Sequence, residues 1–139
     1  MVFILDEGSE FDAPISKVWA LAQTEGAHKH SSQINTKMSM EGEHMVLAFG
    51  TKMPDGKMVD QKIRLTSFPP VGFFLEYVEG PMTGTKLFQY YVPNGSKTGV
   101  RVVGEATSKM MPDDMLRGAV LQGLAVAFSE DVENLKHIQ

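Results

Sequence analysis

The sequence contains no cysteine, and none of its apolar runs is long enough to cross a lipid bilayer. The absence of cysteine excludes disulfide bonds, thiolate metal sites and cysteine nucleophiles. The apolar stretch from Met1 to Leu5 is followed at once by Asp6 and Glu7, so it is too short and wrongly flanked for a signal peptide. We therefore expect a soluble protein in the cytoplasm, without stable membrane insertion.

Basic residues are also few: 13 Lys and Arg stand against 17 Asp and Glu, and the net charge is −4 at pH 7. Such a balance implies no broad basic face, so nucleic acid is not an expected partner. The sequence contains no P-loop, no dinucleotide-binding glycine motif after a strand, no nucleophile elbow and no EF-hand. No cofactor and no catalytic residue is therefore predicted.

The four histidines do not form a metal-binding pattern. His28 and His30 are two residues apart, and residues at that spacing do not share a helix face. With no further motif of zinc ligands, no metal site is predicted. The acidic pairs Asp113-Asp114 and Glu130-Asp131 fall at the start and on the polar side of a predicted final helix, where we expect them to be solvated.

A chain of 139 residues with 42% hydrophobic residues can bury one substantial core, and residues 1–139 are expected to form a single domain. Val2 to Phe11 reads as a strand, and the helical spacing of Ile15, Val18 and Trp19 after Pro14 predicts a helix. A second short helix or turn is predicted from Thr24 to Ser32.

From Ile34 onward the apolar residues recur with a period of two, which predicts strands separated by turns such as Pro54-Asp55-Gly56 and Pro93-Asn94-Gly95. A long helix is predicted from Pro112 to about Ile138. The element order is β-α-α-β6-α. This order predicts an α+β fold in which a seven-stranded, curved antiparallel sheet wraps around a long C-terminal helix.

Two features of composition favour an adaptable pocket between that sheet and helix. The ten methionines are an unusually high number, and flexible thioether side chains recur on surfaces that accept variable apolar partners. Gly118 and Gly123 lie inside the last helix, where each costs about 1 kcal/mol relative to alanine. They indicate either close packing of the helix on the sheet or room for a ligand beneath it.

The run Phe11-Asp12-Ala13-Pro14-Ile15-Ser16-Lys17-Val18-Trp19 resembles the entry to the first helix of the START-related helix-grip superfamily, often called SRPBCC. The segment from Phe128 to Leu135 resembles the closing helix of the same group. The resemblance implies the helix-grip fold and an internal apolar cavity for lipids, sterols, fatty acids or polyketides. It also implies that Val18 and Trp19 are structural residues.

The leading functional hypothesis is a non-catalytic carrier of a hydrophobic small molecule, such as a fatty acid, acting as a monomer or homodimer. Gln61 shares the parity of apolar neighbours, so its inward amide needs a partner such as a backbone group, Thr51, a tyrosine hydroxyl or the ligand. The predicted lining consists of Met38, Met40, Met45, Leu47, Phe49, Gln61, Ile63, Leu75, Tyr77, Phe88, Tyr90, Met115, Ala119 and Val120.

Two alternatives stay open. One is an enzyme of polyketide cyclase or aromatase type on the same scaffold, in which Gln61, a tyrosine or Glu105 would polarise a carbonyl; a buried charged residue in the pocket would favour it. By parity, however, Glu105 is expected to point outward. The other is a protein-interaction module, which predicts an exposed apolar patch on the outer sheet face. Polar residues predicted on that face, such as Lys62, Arg64 and Glu76, make such a patch less expected.

Overall fold

The computed structural model describes residues 1–24, 29–53 and 55–138. Within these ranges the chain forms seven strands and two helices. Their order and bounds are β1 (Val2–Phe11), α1 (Ile15–Gln23), β2 (Ile34–Glu41), β3 (His44–Lys52), β4 (Met58–Phe68), β5 (Gly72–Glu79), β6 (Lys86–Asn94), β7 (Lys97–Ala106) and α2 (Asp113–Leu135).

All seven strands form one antiparallel sheet with the order β1-β7-β6-β5-β4-β3-β2. Each strand from β2 to β7 lies beside its successor in the chain, because short turns connect them. β1 joins the sheet next to β7, which places the first strand and the last strand side by side. The predicted fold class, a seven-stranded antiparallel sheet with a long C-terminal helix, is confirmed.

The second helix predicted between Thr24 and Ser32 falls partly on residues 25–28, including His28, which lie outside the described residues. Of the other residues in that segment, Lys29 and His30 have no regular structure and residues 31 and 32 form a turn. α1 begins after Pro14, whose missing N–H is no loss at a helix start. α2 ends at Leu135, three residues before the predicted end.

The strand register divides the sheet into two faces. We call the face that carries Ile4, Leu87 and Val102 the inner face, because these side chains pack with Leu116 of α2. The opposite face is called the outer face. Side chains alternate between the two along each strand, so Gln89 and Tyr91 share the inner face with Leu87.

Two buried clusters hold α2 on the sheet, one at each end of the helix. Near its start, Leu116 packs against inner-face residues of β1, β6 and β7, where Ile4 and Ala106 have no exposed surface. Near its end, Leu135 joins Phe11, Tyr91 and the α1 residues Val18 and Leu21. Trp19 packs against this second cluster and stacks on Phe73 at a ring-centroid distance of 5.0 Å. The structural role expected for Val18 and Trp19 follows from these contacts.

The sides of α2 that face away from the two clusters are also rich in apolar and small residues. Met115 is 60% exposed and Val126 is 41% exposed. Gly118 and Gly123 are exposed, and a Cβ atom added at either would meet no atom within 4 Å. Of the two interpretations of these glycines, close packing of the helix on the sheet is therefore wrong, since open space surrounds both.

Candidate functional site

The candidate site is the part of the inner sheet face that lies beyond α2. In the described part of the chain, the main contacts of α2 with the sheet are made to β1 and β7, and the helix also contacts α1. The inner faces of β2 to β5 lie on the far side of β6 from these contacts. Trp19 of α1 covers Phe73 near the start of β5, and we call the remaining inner face of β2 to β5 the open inner face.

The register brings nine of the predicted lining residues together on the open inner face. Cross-strand pairs link Met40 to Met45 and Met38 to Leu47, and the next strand places Leu65 and Ile63 beside them. Leu75 and Tyr77 continue the same face on β5. The predicted residues found there are Met38, Met40, Met45, Leu47, Phe49, Gln61, Ile63, Leu75 and Tyr77.

Burial varies strongly across the open inner face. Ile63 and Phe49 are only 2% and 6% exposed and form its floor. Met38 and Met40, on the edge strand β2, are 50% and 62% exposed. Leu47, Leu75 and several neighbours are half-buried. The face is thus an apolar surface with a closed floor and a solvent-exposed methionine rim.

The prediction that Phe88 and Tyr90 line the same face is wrong. Leu87 pairs with Leu75 on the inner face, so Phe88 must point to the outer face. Tyr90 lies two residues further along β6 and shares the outer face with Phe88, which it contacts edge-on at a ring-centroid distance of 5.9 Å. Apolar residues occupy both parities of β6, so alternation alone could not identify the inward set.

The predicted lining residues of α2 divide between two environments. Val120 is partly buried against the cluster around Leu116. Met115 and Ala119, one helical turn apart, are exposed. Val120 therefore lies on the side of α2 that packs on the sheet, whereas Met115 and Ala119 lie on a solvent-facing side.

The space directly between α2 and the sheet is smaller than the predicted internal cavity. A cavity of about 30 Å³ lies there, lined by residues that include Asp6, Ser9, Gln89 and Asp131. That volume holds about one or two water molecules. A larger, open groove of about 540 Å³ runs along the second half of α2, but its lining contains Lys29 and helix residues only and no residue of the sheet.

Gln61 has the inward position that its parity predicted, and its partner is Thr51, one of the four kinds of partner considered. Its Nε2 donates a hydrogen bond to Thr51 Oγ1 at 3.0 Å, and the Thr51 hydroxyl donates onward to the Ser32 carbonyl at 2.9 Å. Because the hydroxyl hydrogen is committed to Ser32, Thr51 accepts from Gln61 and fixes the orientation of the amide. Gln61 Oε1 is buried and has no hydrogen-bond partner.

Two inner-face tyrosines are held in the neutral form. Burial raises the pKa of Tyr77 above its ordinary value. Burial also raises the pKa of Tyr91 to about 12, against a hydrogen bond from Gln89 that lowers it, and the nearby Asp131 carboxylate raises it further. The hydrogen bond joins Gln89 Nε2 to the Tyr91 hydroxyl oxygen at 3.2 Å. Both phenols therefore remain hydrogen-bond donors at neutral pH.

The segment before β2 is fastened to the second half of α2. His30 Nδ1 lies 3.1 Å from a Glu130 oxygen, and His30 Nε2 lies 3.5 Å from Asp131 Oδ1. The Ser31 amide donates to Glu130 at 3.0 Å, and Asn134 Nδ2 donates to the Lys29 carbonyl. We call this set of contacts the His30 clamp. It fixes the start of the β2 edge relative to the helix.

The prediction that Glu130 and Asp131 are simply solvated is therefore wrong. Their side chains are 26% and 13% exposed and both face His30. Burial raises the pKa of Glu130, but the hydrogen bonds from Ser31 and His30 outweigh that effect and leave the pKa below its ordinary value. Sequence spacing gave no signal of this contact, because His30 and Glu130 are 100 residues apart.

Sequence reasoning also missed the polar residues Asp6, Ser9 and Gln89 around the small cavity. A bulge in β1 lies between Asp6 and Ser9, with Gly8 at φ +100°, and it leaves both residues paired with β7, Asp6 with Val102 and Ser9 with Val100. Gln89 shares the parity of Leu87, but the sequence did not show which parity of β6 faces inward, so it gave no signal for Gln89. Among the described residues, no group of three His, Asp or Glu side chains is arranged to hold a metal ion. No described helix has the length and apolarity required to span a membrane.

Comparisons with known proteins identify the fold but not a sequence family. No protein-family model matches the chain, and no curated protein matches it in sequence. The protein TTHA0849 from Thermus thermophilus has a similar solved structure, with a TM-score of 0.81, 14% identity and 97% coverage of both chains. The Zhui aromatase/cyclase from a Streptomyces species gives a TM-score of 0.74 at 14% identity, covering 97% of this chain and 94% of the other.

Ara h 8.0201 is also similar, with a TM-score of 0.73, 11% identity and 97% coverage of both chains. The protein thus has the helix-grip fold over essentially its whole length, as its resemblance to the START-related helix-grip superfamily implied. At these identities the likeness defines the fold alone. Because that fold also serves an aromatase/cyclase, ligand binding and catalysis are both compatible with it.

Proposed function

We propose that the protein binds a hydrophobic small molecule on the open inner face, as a carrier rather than an enzyme. The observation that carries this proposal is the exposure of Met38 and Met40 beside a floor formed by Phe49 and Ile63. Isolated exposed apolar side chains are ordinary, but a contiguous set on a concave sheet face is typical of ligand sites. A bound apolar molecule would remove this surface from water, at about 25 cal/mol per Å² of buried apolar area.

The binding mode differs from the enclosed cavity that the resemblance implied. The cavity that Asp6, Gln89 and Asp131 line beneath α2 holds only about 30 Å³, so the ligand would lie beside the helix, between the methionine rim and the floor. Thioether side chains can adapt to ligands of different shape without a change in backbone. Entry would therefore require no displacement of α2, whose first half is held by the buried Leu116. The cytoplasmic location and the single-domain organisation remain parts of this proposal.

Gln61 indicates which polar group the ligand would carry. Its Oε1 can only accept a hydrogen bond, and a buried acceptor left unpaired costs about 1–3 kcal/mol. A ligand hydroxyl could supply the missing donor, whereas an ionised carboxylate has no hydrogen to donate and would be repelled. Among lipid-like ligands, the protein should thus prefer a long-chain alcohol or a protonated acid to a fatty-acid anion.

Titration with the neutral fluorescent probe Nile red tests the proposal. We expect the wild-type protein to bind the probe, and hexadecanol to displace it at lower concentration than hexadecanoate. Met40→Glu should weaken probe binding about tenfold or more, because it places a charge on the apolar wall. Gln61→Leu should remove the preference for the alcohol while leaving probe binding in place.

The matched control is Met110→Glu, which adds the same charge at a methionine that is 52% exposed and lies outside the sheet. It should leave probe binding unchanged. Equal losses in both variants would show that the probe binds elsewhere. Absence of probe binding by the wild type, together with no co-purified lipid in native mass spectrometry, would contradict the carrier function.

One observation favours the enzyme alternative. Asp131 lines the small cavity together with Asp6, and its carboxylate is close enough to Tyr91 to raise the pKa of that phenol. A buried carboxyl next to a neutral phenol is the kind of residue that a cyclase would need to donate or accept protons. The cavity there has room for water but not for a polyketide, whereas Glu105 is exposed on the outer face, so we rank catalysis second. Conversion of a polyketide substrate, abolished in Asp131→Asn, would reverse this ranking.

A further inference from the structure

The outer face of the sheet carries an apolar row that the ligand site does not use. Cross-strand pairs connect Phe74 to Phe88, Phe88 to Val103 and Val103 to Leu5, so the row crosses β5, β6, β7 and β1. We call these four residues the outer apolar row. Phe68 stacks on Phe88 at a ring-centroid distance of 6.0 Å and extends the apolar surface to β4. Leu5 is 48% exposed and Phe68 is 46% exposed.

This row corrects the expectation of a polar outer face. Lys62, Arg64 and Glu76 are indeed polar, but they lie toward one end of β4 and β5. The sequence could not separate the two areas, because apolar residues occupy both parities of β6. Contiguous apolar surface that crosses four strands is typical of an interaction site.

Charged residues border the outer apolar row in a regular pattern. On one side, successive cross-strand pairs place Arg64, Glu76, Lys86 and Glu105 in a line of alternating sign. On the other side lie Tyr90 of β6 and its cross-strand partner on β7, the exposed Arg101. The first line contains two cations and two anions and is neutral, although the whole protein has a net charge of −4. With Arg101 the border has three cations and two anions, and a single excess positive charge provides no basic patch for nucleic acid or an anionic membrane.

We propose that the outer face is the interface of a homodimer, in which a second copy of this chain packs on it face to face. A two-fold axis running along the outer apolar row places Phe88, Val103 and Leu5 against the same residues of the second copy. The strands of the two sheets then run antiparallel, as in aligned sheet packing. Burial of the row supplies the apolar centre that stable interfaces have.

The same axis produces charge complementarity at the border. Glu105 and Arg101 flank Val103 on β7, two residues to either side of it. Rotation about the row reverses the strand direction, so Glu105 of each copy faces Arg101 of the other. Lys86 likewise faces the ring of Tyr90, in a cation–π arrangement. The part of the surface on β6 and β7 is therefore complementary to itself, and this property distinguishes a second copy from an unrelated partner. Arg64 and Glu76 compensate each other within one copy, at 3.4 Å from Nε to Oε1.

Sedimentation velocity of the wild-type protein and of surface variants over a range of concentrations tests this proposal. The wild type should form a dimer, and Leu5→Glu should increase the dimer dissociation constant at least about tenfold, because it buries a charge in the apolar centre. Arg101→Glu should also weaken the dimer, since it places like charges opposite each other. The double variant R101E/E105R should restore dimerisation, because the exchanged charges again face opposite partners.

Val126→Glu is the matched control, since it adds a charge at a similarly exposed apolar residue of α2 and should leave the dimer intact. Circular dichroism of each variant verifies that the sheet has formed. A wild-type protein that is monomeric at every concentration would overturn the proposal. Binding of the outer face to neutral lipid vesicles instead would not rescue it. A dimer that Leu5→Glu leaves unchanged, or that the charge exchange fails to restore, would equally overturn it. Nile red binding on the inner face is a separate measurement and does not enter this test.

Discussion

At the scale of single residues, environment rather than sequence position determines what each side chain can do. Tyr90 and Tyr91 are neighbours in the chain, yet Tyr90 is half-buried on the outer face and Tyr91 is buried beside Phe73, Trp19 and Asp131. Likewise, Gln61 and Gln89 both point inward, but only Gln61 has an unpartnered acceptor that would select a ligand.

Tyr91 makes the stability of the protein sensitive to alkaline pH. The pKa of Tyr91 is about 12 in the folded protein, whereas the ordinary value for a tyrosine is 10.0, so folding favours the neutral phenol. The associated stabilisation is fully present below pH 10 and is lost as the pH rises toward 12. Urea unfolding of Tyr91→Phe should therefore show a smaller loss of stability than the wild type over that interval.

Tyr77 provides the internal comparison for this measurement, because burial raises its pKa as well. Tyr77→Phe should also reduce the alkaline loss, and the double variant should reduce it further. An alkaline loss that is identical in wild type and both variants would show that neither phenol is buried as the structure indicates.

The sequence predicted the faces of single strands only where one parity was clearly apolar. In β4, Ile63 and Leu65 alternate with Lys62, Arg64 and Thr66. The register places both apolar residues on the inner face as expected. In β6, Leu87 and Phe88 are adjacent and equally apolar, so only the pairing with β5 reveals which one faces inward. The Glu130 contact with His30 depends on the tertiary fold and has no local signature.

At the scale of secondary-structure elements, α2 acts as a cover for only part of the sheet. Its two ends are fixed by Leu116 and Leu135, and the His30 clamp ties its second half to the edge strand β2. The length and start of α2 were predictable from Pro112 and the apolar pattern that follows. How far it covers the sheet was not predictable, because apolar residues occur on all its sides.

The glycines of α2 provide a test of this arrangement. Gly118→Ala should stabilise the protein by about 0.5–1 kcal/mol, because alanine lowers the entropy cost of helix formation and its Cβ would meet no atom within 4 Å. Thermal or urea unfolding measures the change. Gly72→Ala is the contrasting variant, because its Cβ would overlap the Gln89 carbonyl oxygen, and it should destabilise the protein. Destabilisation by Gly118→Ala would indicate that α2 packs more closely than described.

At the scale of the whole molecule, the two buried clusters share elements and should act together. Val100 belongs to the cluster near the end of α2 and Val102 to the cluster near its start, and both lie on β7. The helix itself contributes Leu116 to one cluster and Leu135 to the other. Disruption of either cluster would therefore remove support from the other.

We expect unfolding to be a single cooperative transition. The one tryptophan, Trp19, packs against the cluster near the end of α2, so its fluorescence follows that region, whereas far-ultraviolet circular dichroism follows the entire sheet. The two signals should give the same urea midpoint. Leu116→Ala, at the opposite end of the helix, should lower both midpoints equally, with a loss of about 2–5 kcal/mol. Separate midpoints would mean that the two ends of the helix unfold independently.

The incomplete cover that α2 provides has a consequence for how this protein can change. Met38, Met40, Met45 and Leu47 belong to neither of the two clusters that anchor the helix. Substitutions among them should alter the choice of cargo with little loss of conformational stability. Affinity selection from a library randomised at these four positions should therefore yield variants that bind new ligands and still fold.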